Sequence, residues 1–72
     1  MTGPKIAAER AYLTKRESQI IKMIHGEMGN RDISEALGIA LETVETHIRN
    51  IKDALTIESR IGLALWYERQ SR

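Results

Sequence analysis

The side chains best placed to do chemistry lie in one stretch, LETVETHIRNIKDAL, from Leu41 to Leu55. Its apolar residues Leu41, Val44, Ile48, Ile51 and Leu55 recur at i, i+3, i+7, i+10 and i+14, the period of a helix with one buried stripe. At about 100° per residue the opposite face is centred on Glu42, Thr46, Arg49 and Asp53, flanked by Thr43, Glu45 and Asn50. A guanidinium can hold O6 and N7 of guanine together, and a carboxylate accepts from N4 of cytosine. Arg49, Glu45 and Thr46 are therefore candidate readers of base-pair edges. The plainer reading is that Glu45 and Arg49, at i and i+4, form an exposed ion pair worth about 0.3 to 0.5 kcal/mol.

Other chemistries fit poorly. The chain contains no Cys, which removes disulfide scaffolds, thiol catalysis and zinc fingers. His47 projects toward the apolar side of its helix, beside Val44, Ile48 and Ile51, and is expected to be buried and hydrogen-bonded. His25 is expected to face a helix C-terminus. Neither has the neighbours a metal site needs, and no nucleophile, base and orienting group are grouped. No enzyme activity, metal or cofactor is expected.

A reader helix needs a support that fixes its angle. ISEALG, from Ile33 to Gly38, is a short amphipathic helix ending on a glycine that permits the turn, so Ile33 to Leu55 has the form of a helix-turn-helix. The short helix is expected to start with Asn30 as its cap and to pack through Ile33, Ala36 and Leu37. Upstream, Thr14 and Glu17 have the spacing of a capping box. The helix they open carries a core stripe of Ile20, Ile21, Ile24 and Met28, with Lys15, Arg16, Glu17 and Lys22 on its wet side and Gly26 and Gly29 bracketing its end. After a break at Thr56, Ile57 and Glu58, Ser59 can cap a last helix running to about Gln70, in which Gly62 permits close backbone approach. No strand pattern is present. Residues 1–12, with their Thr-Gly-Pro cluster, read as a linker or N-terminal extension, residues 13–70 as the domain, and Gln70 to Arg72 as a frayed tail.

Bulk properties narrow the class further. A domain of 72 residues buries only about 60% of its unfolded surface, so a partner that covers more of it would help. The net charge is +1, which gives no general attraction for nucleic acid. The recognition segment itself is −1, with Glu42, Glu45 and Asp53 against Arg49 and Lys52. Apolar stretches are too short for a spanning helix, and with no Cys the chain is expected to be cytoplasmic, with no membrane partner.

Three motifs make the reading specific: Leu13-Thr14 with Arg16-Glu17, Asn30-Arg31-Asp32-Ile33, and Thr43-Val44 with His47. From Leu13 to about Tyr67 the chain resembles the LuxR-type (GerE-like) DNA-binding domain of bacterial response regulators and quorum sensors. The resemblance implies an all-α, four-helix fold whose third helix, about 41–55, recognises double-stranded DNA, and whose fourth, about 59–70, forms a two-fold dimer on inverted half-sites. It implies that Glu45, Thr46 and Arg49 face bases. Phosphate contacts are expected from Asn30, Arg31, Thr43 and Lys52, with Lys15, Arg16 and Arg60 further candidates. The chain departs from the pattern at Ala40, where a capping Ser or Thr is usual, at a cost of about 1 kcal/mol. It departs again at Thr56, where Gly or Asn is frequent; a β-branched residue dislikes the left-handed conformation, so this helix is expected to end differently. Asp53 and Ala54 stand where basic residues are frequent.

The last helix has two apolar faces. Ile61, Ala64 and Leu65, with Glu68, are expected to dock onto the core, leaving Leu63, Trp66, Tyr67 and Gln70 as the homodimer interface; the plainer reading is that Trp66 completes the domain's own core, in a chain without Phe. The reading is thus a transcriptional regulator that binds an inverted repeat as a homodimer, with RNA polymerase as a further contact. Its rival, motivated by the acidic reader helix, is a protein-binding anti-activator that engages another transcription factor or RNA polymerase through the last helix.

Overall fold

A computed structural model of the chain describes residues 13–70, and the linker expected over residues 1–12 lies outside that range. Among the described residues there are four helices and no strand: α1, Lys15–His25; α2, Asn30–Leu37; α3, Leu41–Leu55; and α4, Arg60–Gln70. Gln70, expected to fray, still belongs to α4.

The capping box at α1 forms as its spacing requires. Thr14 Oγ1 accepts from the Glu17 N–H at 3.0 Å, and a Glu17 carboxylate oxygen accepts from the Thr14 N–H at 3.0 Å. This return contact folds Glu17 over the helix start and buries it, so it leaves the wet side where the periodicity put it. α1 ends on Gly26, but the left-handed residue that turns the chain is Glu27, with φ 67°.

α1 packs against both α3 and α4, and α2 packs against α3. Ile20, Ile21 and Ile24 from α1, Ile33 from α2, Val44, Ile48 and Ile51 from α3, and Leu63 from α4 form one buried cluster. Each such side chain taken from water contributes about 1.5 to 3 kcal/mol, which offsets the entropy lost in ordering it. α2 buries Ile33 and Ser34, and the Ser34 hydroxyl donates to the Arg31 carbonyl at 2.8 Å. Ala36, expected in the packing face, is exposed instead.

Gly38 takes the left-handed conformation at φ 68°, and the following Ile39 N–H reaches the Ser34 carbonyl. Two left-handed turns of this kind set the angle of the reader helix at its two ends. The second is at Thr56, which adopts φ 57° and ψ 44° despite its branched Cβ, contrary to the sequence expectation. Tertiary packing is the reason: the turn lets the Ile57 N–H reach the Lys52 carbonyl at 3.0 Å and brings Ile57 back onto the core. Ser59 then caps α4, accepting from the Gly62 N–H at 2.9 Å. A Cβ at Gly62 would lie 2.7 Å from Ile57 Cγ2 and 2.8 Å from Ser59 Oγ, so the glycine makes room for two side chains of the preceding turn, not for the close backbone approach expected there.

α4 is rotated relative to the sequence reading. Leu63 is fully buried in the chain's own core, and Trp66 and Tyr67 are half-buried against it. Ile61 and Leu65, expected to dock, are 74% and 53% exposed. With apolar residues around its whole circumference, α4 has no dominant face of its own, and fit to α1 chooses which face goes in. His25 helps to lock that choice: its Nε2–H donates to the Glu68 carboxylate at 2.6 Å, and its ring packs against Tyr67 with centroids 5.0 Å apart.

Candidate nucleic-acid interface

α3 presents the expected face. Glu42, Thr43, Glu45, Thr46, Arg49, Asn50 and Asp53 are all exposed, while Val44, Ile48 and Ile51 are buried beneath them. The three candidate base readers, Glu45, Thr46 and Arg49, therefore project from one side of a helix whose other side is fixed in the core. Among the described residues Glu45 and Arg49 form no ion pair, so the plain i, i+4 pairing is not what holds either side chain. His47 is half-buried and makes no hydrogen bond among the described residues, which corrects the expectation of a buried, bonded histidine.

The helix starts that flank this face lack side-chain caps. Ala40 sits in the extended conformation of a cap, with φ −67° and ψ 150°, but has no side-chain oxygen to offer. At α2 the cap is Gly29, and Asn30, expected to cap, is the first helical residue. Its amide is used differently: Asn30 Oδ1 accepts from Arg60 at 2.7 Å, and a second guanidinium nitrogen of Arg60 donates to the Met28 carbonyl at 2.8 Å. The start of α4 is thereby tied to the start of α2. Sequence spacing carries no signal for this link, because thirty residues separate its ends and only the packing of α1 against α4 brings them together.

Arg31 and Thr43 are exposed, and Asn30 and Lys52 are half-buried. The structure brings Asn30, Lys52 and Arg60 to one polar recess beside Glu45 and Arg49. Arg31 and Thr43 do not line it. Of the α4 residues expected at a subunit interface, Leu63 is buried and closed to a partner, Trp66 and Tyr67 are partly covered by the core, and Gln70 is exposed. Among the described residues, no cluster of three or more His, Cys, Asp or Glu side chains is arranged to hold a metal. No described helix is long and apolar enough to cross a membrane.

Comparison with known proteins decides the family. The model of bacterial regulatory proteins of the luxR family matches residues 11–67, most of the chain. The chain belongs to the LuxR family. This LuxR-family chain is 36% identical over 63 residues to the transcriptional regulatory protein MctR of Rhizobium johnstonii, covering 88% of this chain and 29% of that protein. It is 40% identical over 57 residues to the transcriptional regulatory protein LiaR of Bacillus subtilis, covering 79% of this chain and 27% of that protein. A nitrate/nitrite response regulator homologue of Haemophilus influenzae is 35% identical over 60 residues, 83% of this chain and 29% of that protein. The chain thus spans less than a third of the length of these curated relatives, and the matched part is the LuxR-type helix-turn-helix. It is the DNA-binding domain of a transcriptional regulator family.

Proposed function

We propose that the chain binds an inverted-repeat DNA site as a homodimer, reading bases through the exposed face of α3. The observation that carries this reading is the exposure of Glu45, Thr46 and Arg49 together on a helix whose opposite face is locked into the core. In the reading, Arg49 holds a guanine, Glu45 accepts from a cytosine, and Thr46 meets a third base edge. Asn30, Arg31, Thr43 and Lys52 hold phosphates and set the register. Two modules are needed because one buries only about 600 to 1,000 Å² on DNA.

α4 supports the pairing, with the contact moved around the helix from the positions the sequence suggested. Ile61 and Leu65 are large, exposed and one turn apart, and they border a shallow recess with Ile24, Met28 and Ala64. Covering them with the same face of a second copy removes apolar area from water and sets the two α3 helices about a two-fold axis.

Selection of bound duplexes from a random library tests the proposal. An enriched palindrome with half-sites about one helical turn apart is the expected result. Failure to enrich any sequence at low salt would overturn it, in favour of a module whose α4 surface docks on another protein.

A further inference from the structure

α3 carries a net charge of −1, yet the recess beside it has the opposite sign. Between the start of α2, the middle of α3 and the start of α4, this recess is lined by Asn30, Glu45, Ile48, Arg49, Lys52 and Arg60. Three cations face it against one carboxylate. The remaining acids of the helix, Glu42 and Asp53, do not line it. Arg49 and Lys52 also border the neighbouring recess with Asp53 and Glu58, and Arg60, brought in from α4, adds to the positive excess of this one.

Arg60 has donors to spare. Its two bonds go to neutral oxygens, Asn30 Oδ1 and the Met28 carbonyl, so they hold the guanidinium in place without neutralising it. A guanidinium has five N–H donors and no acceptor. Two are used, and the remaining three have no carboxylate within ion-pair distance among the described residues. The same bond fixes Asn30: because Arg60 can only donate, the amide oxygen must face it, and the amide NH2 is turned the other way as two further donors. Lys52, also without an ion-pair partner among the described residues, adds charge from α3.

We propose that this recess seats a phosphate group of the DNA backbone, with Arg60 and the Asn30 amide as its hydrogen-bond donors and Lys52 as its nearest further charge. The inference rests on α3 being the DNA-reading helix, and it gives Arg60, by sequence one of several candidate cations, a fixed place in the contact beside Asn30. A fixed guanidinium suits phosphate better than a mobile lysine, because its donors are already oriented. The position also joins two tasks. Arg60 opens α4, whose first two turns carry Ile61 and Leu65, so the element offered for pairing also grips the backbone beside Arg49. A phosphate seated there sets the register of the base readers.

The test is a salt series of equilibrium binding, using the chain with a selected duplex and with a scrambled duplex of equal composition. The variants are Arg60→Gln and Lys52→Gln. Log affinity falls linearly with log salt, and removing one protein–phosphate interaction lowers the magnitude of that slope by about 0.9. Arg60→Gln is expected to lower it by that amount for each Arg60 in the complex, and to weaken both duplexes by the same factor. Lys52→Gln is expected to lower the slope without moving the urea midpoint, because Lys52 has no side-chain bond to lose among the described residues; this guards against loss of folding in the Arg60 variant. Unchanged slopes in both variants, with the unaltered chain still binding DNA, would overturn the phosphate seat alone. Absence of binding to either duplex by the unaltered chain at low salt would overturn the seat and the DNA-reading proposal together. Inorganic phosphate, titrated into the free chain, is expected to show no saturable binding; saturation that Arg60→Gln abolishes, with DNA slopes unchanged, would assign the recess to a free anion and overturn the seat.

Discussion

Thr56 holds the end of the reader helix in a conformation its side chain resists, and replacing it by glycine should make the domain more stable. At φ 57° and ψ 44° the backbone costs an L-residue about 1 to 2 kcal/mol, with a branched Cβ toward the upper end. Glycine escapes this cost, but the unfolded chain gains freedom worth about 0.4 to 1 kcal/mol. The Thr56 side chain makes no hydrogen bond among the described residues and is exposed, so little else is lost. The net expectation for Thr56→Gly is about 1 kcal/mol of added stability, a rise in melting temperature of about 4 to 8 °C for a domain this small. Far-ultraviolet circular dichroism during thermal and urea unfolding reads it directly. Thr56→Ala should fall between the two, since alanine keeps the left-handed penalty without the branch. Gly38→Ala, at φ 68°, should move the other way by a similar amount. If Thr56→Gly is no more stable than the unaltered chain while Gly38→Ala is harmless, the left-handed turns do not carry the strain assigned to them.

Two further substitutions probe α3 and α4. Ala40→Ser places a side-chain oxygen at a cap already in the extended conformation, and should raise stability by about 1 kcal/mol in the same unfolding experiment. Ile61→Lys and Leu65→Lys together should leave folded stability nearly unchanged, because both side chains are exposed, yet shift sedimentation from dimer to monomer. Dimers that persist in that double variant would remove α4 as the pairing surface.

The helices are legible in the sequence because each has a local cause. Thr14 and Glu17 mark the start of α1 by a reciprocal bond, Gly38 marks a turn by its backbone freedom, and the spacing from Leu41 to Leu55 separates a buried from an exposed face. α4 is not legible in the same way. Apolar residues at Ile61, Leu63, Ala64, Leu65, Trp66 and Tyr67 surround the helix, so periodicity cannot say which side meets α1. Thr56 escapes a sequence reading because propensity is a local argument, and the return of Ile57 to the core outweighs it. Asn30 looks like a cap by residue type, but its oxygen serves Arg60, thirty positions away. Net charge misleads for a related reason. The −1 of α3 counts only that helix's own groups, whereas the fold brings Arg60 from α4 beside Arg49 and Lys52, so the recess they share is cationic.

The most direct test of the central claim is the affinity of Arg49→Ala for a selected duplex and for each single-base-pair variant of it. Base reading by α3 predicts a loss of about 1 to 3 kcal/mol, roughly 5- to 150-fold, with discrimination relaxed at one base pair of each half-site and retained at the others. Full affinity with unchanged discrimination at every position would show that Arg49 does not touch the bases, and would contradict the account.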